Sequence, residues 1–126
     1  MTKITLVLIA CMAVLPFANA SLNPVEIDRA AEAVQPQVVE WRRWFHQNPE
    51  LSNREFNTSA KIAEILRAMG LEPQTGIAHT GIVAFIEGGQ PGPLVAIRTD
   101  IDGLPVEEQT GLPYASTARS EYNGQD

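Results

Sequence analysis

Two aspartates, Asp100 and Asp102, stand just past an apolar run that ends at Thr99. The end of a strand is where open α/β sheets present ligand-binding groups, and residues two apart on an extended chain point the same way. A carboxylate pair so placed suits a metal site or an acid/base pair. The same spacing also suits a plainer arrangement, with one carboxylate capping a turn and the other solvated. The two histidines of the chain are His46, in Trp44-Phe45-His46-Gln47-Asn48-Pro49, and His79, in Ile77-Ala78-His79-Thr80-Gly81. Neither has a partner at ligand spacing, so His46 is expected to bond backbone at a helix end and His79 to lie in a loop. Trp41, Trp44 and Phe45 recur at helical spacing beside apolar neighbours and read as core, and Glu107-Glu108 reads as a solvated pair.

Composition narrows the partners. The chain has 126 residues, 44% of them apolar and 19% charged, enough for one small domain. Nine Lys and Arg stand against 15 Asp and Glu, a net charge of −6. Binding nucleic acid needs clustered cations to neutralise phosphates, and Arg42, Arg43, Arg54 and Lys61 are instead interleaved with Glu40, Glu50, Glu55 and Glu64. The single cysteine, Cys11, excludes an internal disulfide framework, and the lack of a Cys/His cluster excludes a self-contained structural zinc site.

Residues 1–20 have the order of a secretory signal peptide: Lys3, an apolar run over residues 4–18, and Ala18-Asn19-Ala20 before Ser21. Cleavage after Ala20 is expected, which makes the mature chain residues 21–126, exported to the periplasm or secreted, without a thiol and without a stable membrane anchor. A spanning helix needs about 20 apolar residues, and this run is shorter and interrupted by Pro16. A lipoprotein signal ending at Cys11 conflicts with the apolar run continuing to Phe17.

The elements that must position the acidic pair follow from local signals. Asn23-Pro24-Val25-Glu26 opens a helix, with a capping residue, a proline at the first helical position and a glutamate three after the cap. Apolar residues from Ile27 to Phe45 recur at three and four, Pro36 is expected to kink or divide the helix, and Pro49 bounds it. Ser52-Asn53-Arg54-Glu55 has the form of a capping box for a second helix that Gly70 ends, with Phe56, Ala60, Ala63, Leu66 and Met69 on its apolar face. Residues 81–87 and 94–99 read as near-continuous apolar strands, and the six residues between them are too few for a helical crossover. An antiparallel hairpin is therefore expected, followed by a long ordered loop from Asp100. Continuous apolar strands want cover on both faces, so the chain is expected to be part of a larger α/β domain.

Three stretches resemble a known family: Phe45-His46-Gln47-Asn48-Pro49-Glu50-Leu51-Ser52, Arg98-Thr99-Asp100-Ile101-Asp102-Gly103-Leu104-Pro105-Val106, and Glu108-Gln109-Thr110-Gly111-Leu112-Pro113-Tyr114-Ala115-Ser116. In this order and spacing they are similar to the amidohydrolase branch of the dinuclear-metal aminoacylase and carboxypeptidase family. That branch includes hippurate hydrolase, N-acyl-amino-acid amidohydrolases and enzymes that cleave indole-acetyl-amino-acid conjugates. The resemblance runs over residues 38–116 and covers only the amino-terminal part of such an enzyme. It implies a truncated portion of a mixed-sheet α/β/α, metallo-aminopeptidase-like catalytic domain.

It also implies two divalent metal ions, zinc or else manganese or cobalt, in the complete protein, with an N-acyl amino acid as substrate and a homodimer or homo-oligomer as assembly. In many relatives the strand end carries His-x-Asp, the histidine a ligand and the aspartate holding it in place. Here Arg98 stands at the histidine position, and a guanidinium has no lone pair to offer a metal. The resemblance assigns Asp100 the orienting role, with Asp102 as a weaker companion. In this branch the ligands include an Ala-Cys-Gly-His-Asp motif, which is not found before Asp126, so the chain alone is expected to hold no metal and to be inactive. The competing expectation is a non-catalytic exported remnant that folds or binds as a small module.

Overall fold

The computed structural model describes residues 23–121, 123 and 124. The leader expected over residues 1–20 and its cleavage site lie outside the described residues. Four elements follow in order: α1 (Pro24–Gln47), α2 (Phe56–Ala68), β1 (Gln74–Ile77) and β2 (Gly81–Val83). The chain divides into two compact units at Ala33 and Val34. The described part of the first is the opening of α1, solvent-exposed throughout; the second holds everything discussed below.

Asn23 starts α1 as its sequence position implies, its side-chain oxygen accepting from the Val25 N–H at 3.1 Å. Of the two outcomes expected at Pro36, a kink or a division, division does not occur: one helix runs through it. Pro36 removes one hydrogen-bond donor, but Glu32 and Pro36 are both exposed, which leaves the orphaned carbonyl open to solvent. At the other end Asn48 turns its side-chain amide back to the Trp44 carbonyl at 2.7 Å, and Pro49 follows.

The start of α2 is also different from the expected capping box. Asn53 sits at φ 62°, a left-handed conformation incompatible with helix, so helix begins only at Phe56. The cap comes from further back. Glu50 Oε2 accepts from the Thr58 N–H at 2.7 Å and Oε1 from the Asn57 N–H at 3.1 Å and Asn57 Nδ2 at 2.8 Å. A carboxylate on the exposed donors of a helix N-terminus also meets the positive end of its dipole. Partial burial works against the charged form of Glu50, and the bonds from Thr58 and Asn57 outweigh it, leaving its carboxyl below the ordinary value of 4.5. Gly70 ends the helix as read, at φ 81°, with Gly70 N–H on the Arg67 carbonyl at 2.9 Å and Leu71 N–H on that of Leu66 at 3.0 Å.

The inward face of α2 is narrower than its apolar pattern. Ala63 is buried and Ile62, Ile65 and Leu66 are half-buried, while Phe56, Ala60 and Met69 face solvent. From the same helix the Lys61 ammonium lies 5.7 Å from the centre of the Trp44 ring on α1.

The sheet is the largest departure from expectation. β1 pairs antiparallel with β2, Gln74 opposite Val83, Thr75 opposite Ile82 and Ile77 opposite Gly81, with Gly76 as an extra residue at φ 76°. The hairpin expected between residues 81–87 and 94–99 is absent. None of Gly88, Gly89 and Gly92 takes the positive φ that a tight hairpin turn needs, and Pro91 and Pro93 have no N–H to give a ladder. Phe85, Ile86, Leu94 and Val95 stay exposed, and Ile97 is 97% exposed.

Ala78 and His79 turn the hairpin with φ of 48° and 92°. Side chains at positive φ cost about 1–3 kcal/mol each, and two contacts, with Glu55 just before α2 and with Phe56 at its start, hold the turn. The Thr80 hydroxyl donates to Glu55 Oε2 at 2.6 Å with both residues buried, and the His79 ring packs edge-on to Phe56 at 5.4 Å. Burial opposes ionisation of Glu55, and bonds from the Thr80 hydroxyl and from backbone N–H groups, with His79 close by, hold its carboxyl below the usual range. Gly81 is forced by close approach, since a Cβ there would lie 2.6 Å from the Ile77 carbonyl oxygen. Gly81→Ala should therefore abolish the Ile77 and Gly81 pairing, read as lost amide-exchange protection across β1 and β2 with α2 retained; an unaltered hairpin would contradict the packing.

Candidate functional site

The last turn of α1 and the loop that follows Asp100 build one cluster. Its centre is Glu108, whose side chain is 14% exposed. Oε1 meets His46 Nε2 at 2.8 Å and accepts a hydrogen bond from the Thr110 hydroxyl. Oε2 accepts from the Ser116 N–H at 2.6 Å. The Ser116 hydroxyl then donates to the Gln47 carbonyl at 3.2 Å, satisfying one of the open acceptors at the end of α1. The Tyr114 ring packs edge-on to His46 at 5.5 Å, and the Arg43 guanidinium lies 4.8 Å from the centre of that ring.

The hydrogen bonds from Thr110, Ser116 and His46 favour the carboxylate over its acid and draw the Glu108 pKa down to about 2, against a slight opposing effect of burial. An ionised carboxylate only accepts, so the proton in the His46 contact resides on Nε2. In place of the expected backbone bond for His46 and solvated Glu108, the structure joins the two side chains.

Asp100 and Asp102 lie at the approach to this cluster, lining with Phe45, His46, Ile62 and Glu108 a cleft of about 760 Å³. Asp100 is exposed and its Oδ1 accepts from Arg98 Nη2 at 2.8 Å. An exposed pair of this kind contributes little to stability, so it leaves the carboxylate available. Asp102 is exposed too. Directly after it, the Gly103 N–H donates to the Glu50 carbonyl at 2.6 Å, and Leu51 and Gly103 form a parallel bridge. The two histidines do not meet: His79 belongs to the hairpin turn against Phe56.

Among the described residues no three His, Cys, Asp or Glu side chains converge to hold a metal ion. The described residues by themselves do not make up a two-metal site. What they form is a scaffold that carries two carboxylates into a cleft and clamps the loop bearing them at residues 103 and 108–116.

No family model matches the chain. It is 45% identical over 94 residues to an N-acetyl-L-cysteine deacetylase of Bacillus subtilis, covering 75% of this chain and 22% of that protein. It is 38% identical over 91 residues to an N-acyl-L-amino acid amidohydrolase of Geobacillus stearothermophilus, covering 72% of this chain and 25% of that one. Among solved structures it is similar to the YXEP protein of Bacillus subtilis, a dinuclear metal binding peptidase from the M20 family, with a TM-score of 0.64 and 41% identity over 69% of this chain and 25% of that chain. The chain thus spans about a quarter of the length of the relatives it matches, and the shared fold identifies it as part of an α/β domain.

Glu108 supplies a pH signature. Its carboxyl titrates at 4.5 when free and at about 2 in the cluster, so the cluster's stabilising contribution is complete above about pH 4.5 and is lost as pH falls through about 2. The amide proton of Ser116, followed by NMR, should titrate with a midpoint near the lower value. A midpoint near 4.5 would mean that the cluster does not form.

Proposed function

The homologues of this chain are N-acyl-amino-acid amidohydrolases and M20-family dinuclear-metal peptidases, matched over part of its length, and on that premise we propose that it is part of an exported metal-dependent amidohydrolase. The reaction is hydrolysis of the amide bond of N-acyl or N-aroyl amino acids. The observation that carries this reading is the 45% identity over 94 residues to an N-acetyl-L-cysteine deacetylase, together with the likeness in fold to a dinuclear metal binding peptidase from the M20 family. Export rests on the leader, Lys3 followed by the apolar run and Ala18-Asn19-Ala20, with cleavage after Ala20.

In this reading Asp100 is a positioning carboxylate that holds a neighbouring group of the site, and Asp102 is its companion in the same cleft. The complete protein uses two divalent metal ions, zinc or else manganese or cobalt, and this chain alone holds none. The complete protein is a homodimer or homo-oligomer with a small-molecule N-acyl amino acid as substrate. The 126-residue chain by itself is inactive.

Two experiments check the reading. The purified chain should show no metal-dependent release of amino acid from N-acetyl or N-benzoyl amino acids, and turnover above background would overturn its inactivity. In a full-length protein containing this segment, Asp100→Asn should lower activity or metal occupancy by about 10–100-fold, the usual cost of removing a group that orients a ligand. Wild-type values for both would remove Asp100 from the site, and a full-length protein with no hydrolase activity would favour the non-catalytic module.

A further inference from the structure

We propose that Glu50 is a positioning residue for the acidic loop, acting through Gly103; the proposal rests on the reading of Asp100 and Asp102 as site residues. Glu50 faces two ways at once. Its side chain takes the N–H groups of Asn57 and Thr58 at 3.1 and 2.7 Å, which fixes it to the start of α2. Its own carbonyl accepts the Gly103 N–H at 2.6 Å, one residue after Asp102. A helix N-terminus is a rigid element, and the side chain that grips it fixes the direction in which the Glu50 carbonyl points.

The contact at Gly103 leaves little freedom. A Cβ at that position would stand 2.8 Å from Pro49 Cβ and 3.4 Å from the Glu50 carbonyl oxygen. The first is a ring carbon that cannot swing aside, so a side chain at 103 must push the acidic loop away from residues 49–51. The Leu51 and Gly103 bridge reinforces the same approach. The demand on Gly103 is one of distance, since its φ is not in the left-handed region. The chain thereby connects α2 to the two carboxylates through one residue, with no contact between α2 and either aspartate required.

The test has two arms. In the 126-residue chain, amide exchange is followed in wild type, Glu50→Gln and Glu50→Ala. Loss of protection at Asn57, Thr58 and Gly103 together in Glu50→Ala, with partial retention in Glu50→Gln, which keeps one acceptor oxygen, supports the proposal. Loss at Asn57 and Thr58 with Gly103 unchanged makes Glu50 a helix cap only and overturns it. Should Glu50→Ala lose helix α2 by circular dichroism, Gly103→Ala decides, because it leaves the cap intact.

In a full-length protein, Gly103→Ala should lower kcat by about tenfold or more with KM within about twofold, as a displaced catalytic geometry does. An unchanged kcat overturns the proposal. Absence of metal-dependent hydrolysis in the wild type would instead defeat the functional reading, and the exchange arm would still decide whether Glu50 governs Gly103.

Discussion

Everything that follows α1 depends on how one carboxylate is satisfied. Helix α2 begins with donors that no preceding turn accepts, and Asn53, held left-handed, removes the local residues that would have capped them. Glu50 supplies the acceptors from across a turn. That choice bends the segment after Pro49 back on the start of α2. The same bend brings Glu50 and Leu51 alongside Gly103, and hence the long carboxyl-terminal loop alongside the end of α1. The fold is thus organised by polar closure around helix ends more than by apolar burial. Ala63 is the one apolar side chain buried among the described residues.

The two ends of α1 and α2 near this bend are treated alike. A helix N-terminus wants negative charge, and Glu50 provides it; a helix C-terminus wants donors, and the side chains of Asn48 and Ser116 provide them. Glu108 lies between the second of these and His46, and its three hydrogen bonds turn a loop with turn residues every few positions into a fixed surface. The cleft with Asp100 and Asp102 is bounded by that surface.

Helix boundaries governed by adjacent residues were legible in the sequence: Asn23 at the start of α1 and Gly70 at the end of α2 both act as their types imply. The capping box was misleading because Glu55, its supposed acceptor, gives its carboxylate to Thr80, 25 positions away. No local pattern marks Glu50 as the substitute, or Glu108 as a partner of His46 at a separation of 62. The helix through Pro36 shows a strong local rule yielding where solvent can repair the loss. Of the strands read at residues 81–87 and 94–99, only Gly81–Val83 forms, paired with Gln74–Ile77; residues 84–87 and 94–99 are apolar but have no strand partner among the described residues. The acidic pair stands out in the sequence by its place after an apolar run, and the family resemblance by short motifs, of which Pro49, Glu50, Leu51 and Gly103 meet at the bend.

The Gly88-Gly89-Gln90-Pro91-Gly92-Pro93 spacer has a consequence for the life of the nascent chain. Two exposed apolar runs so close in sequence would ordinarily zip together, and in a growing or exported polypeptide such a ribbon offers free edges to its neighbours. A spacer with two prolines and no turn-forming glycine resists that shortcut. Residues 84–87 and 94–99 accordingly stay unpaired among the described residues, and prolines beside apolar runs are the kind of residue that opposes edge-to-edge association.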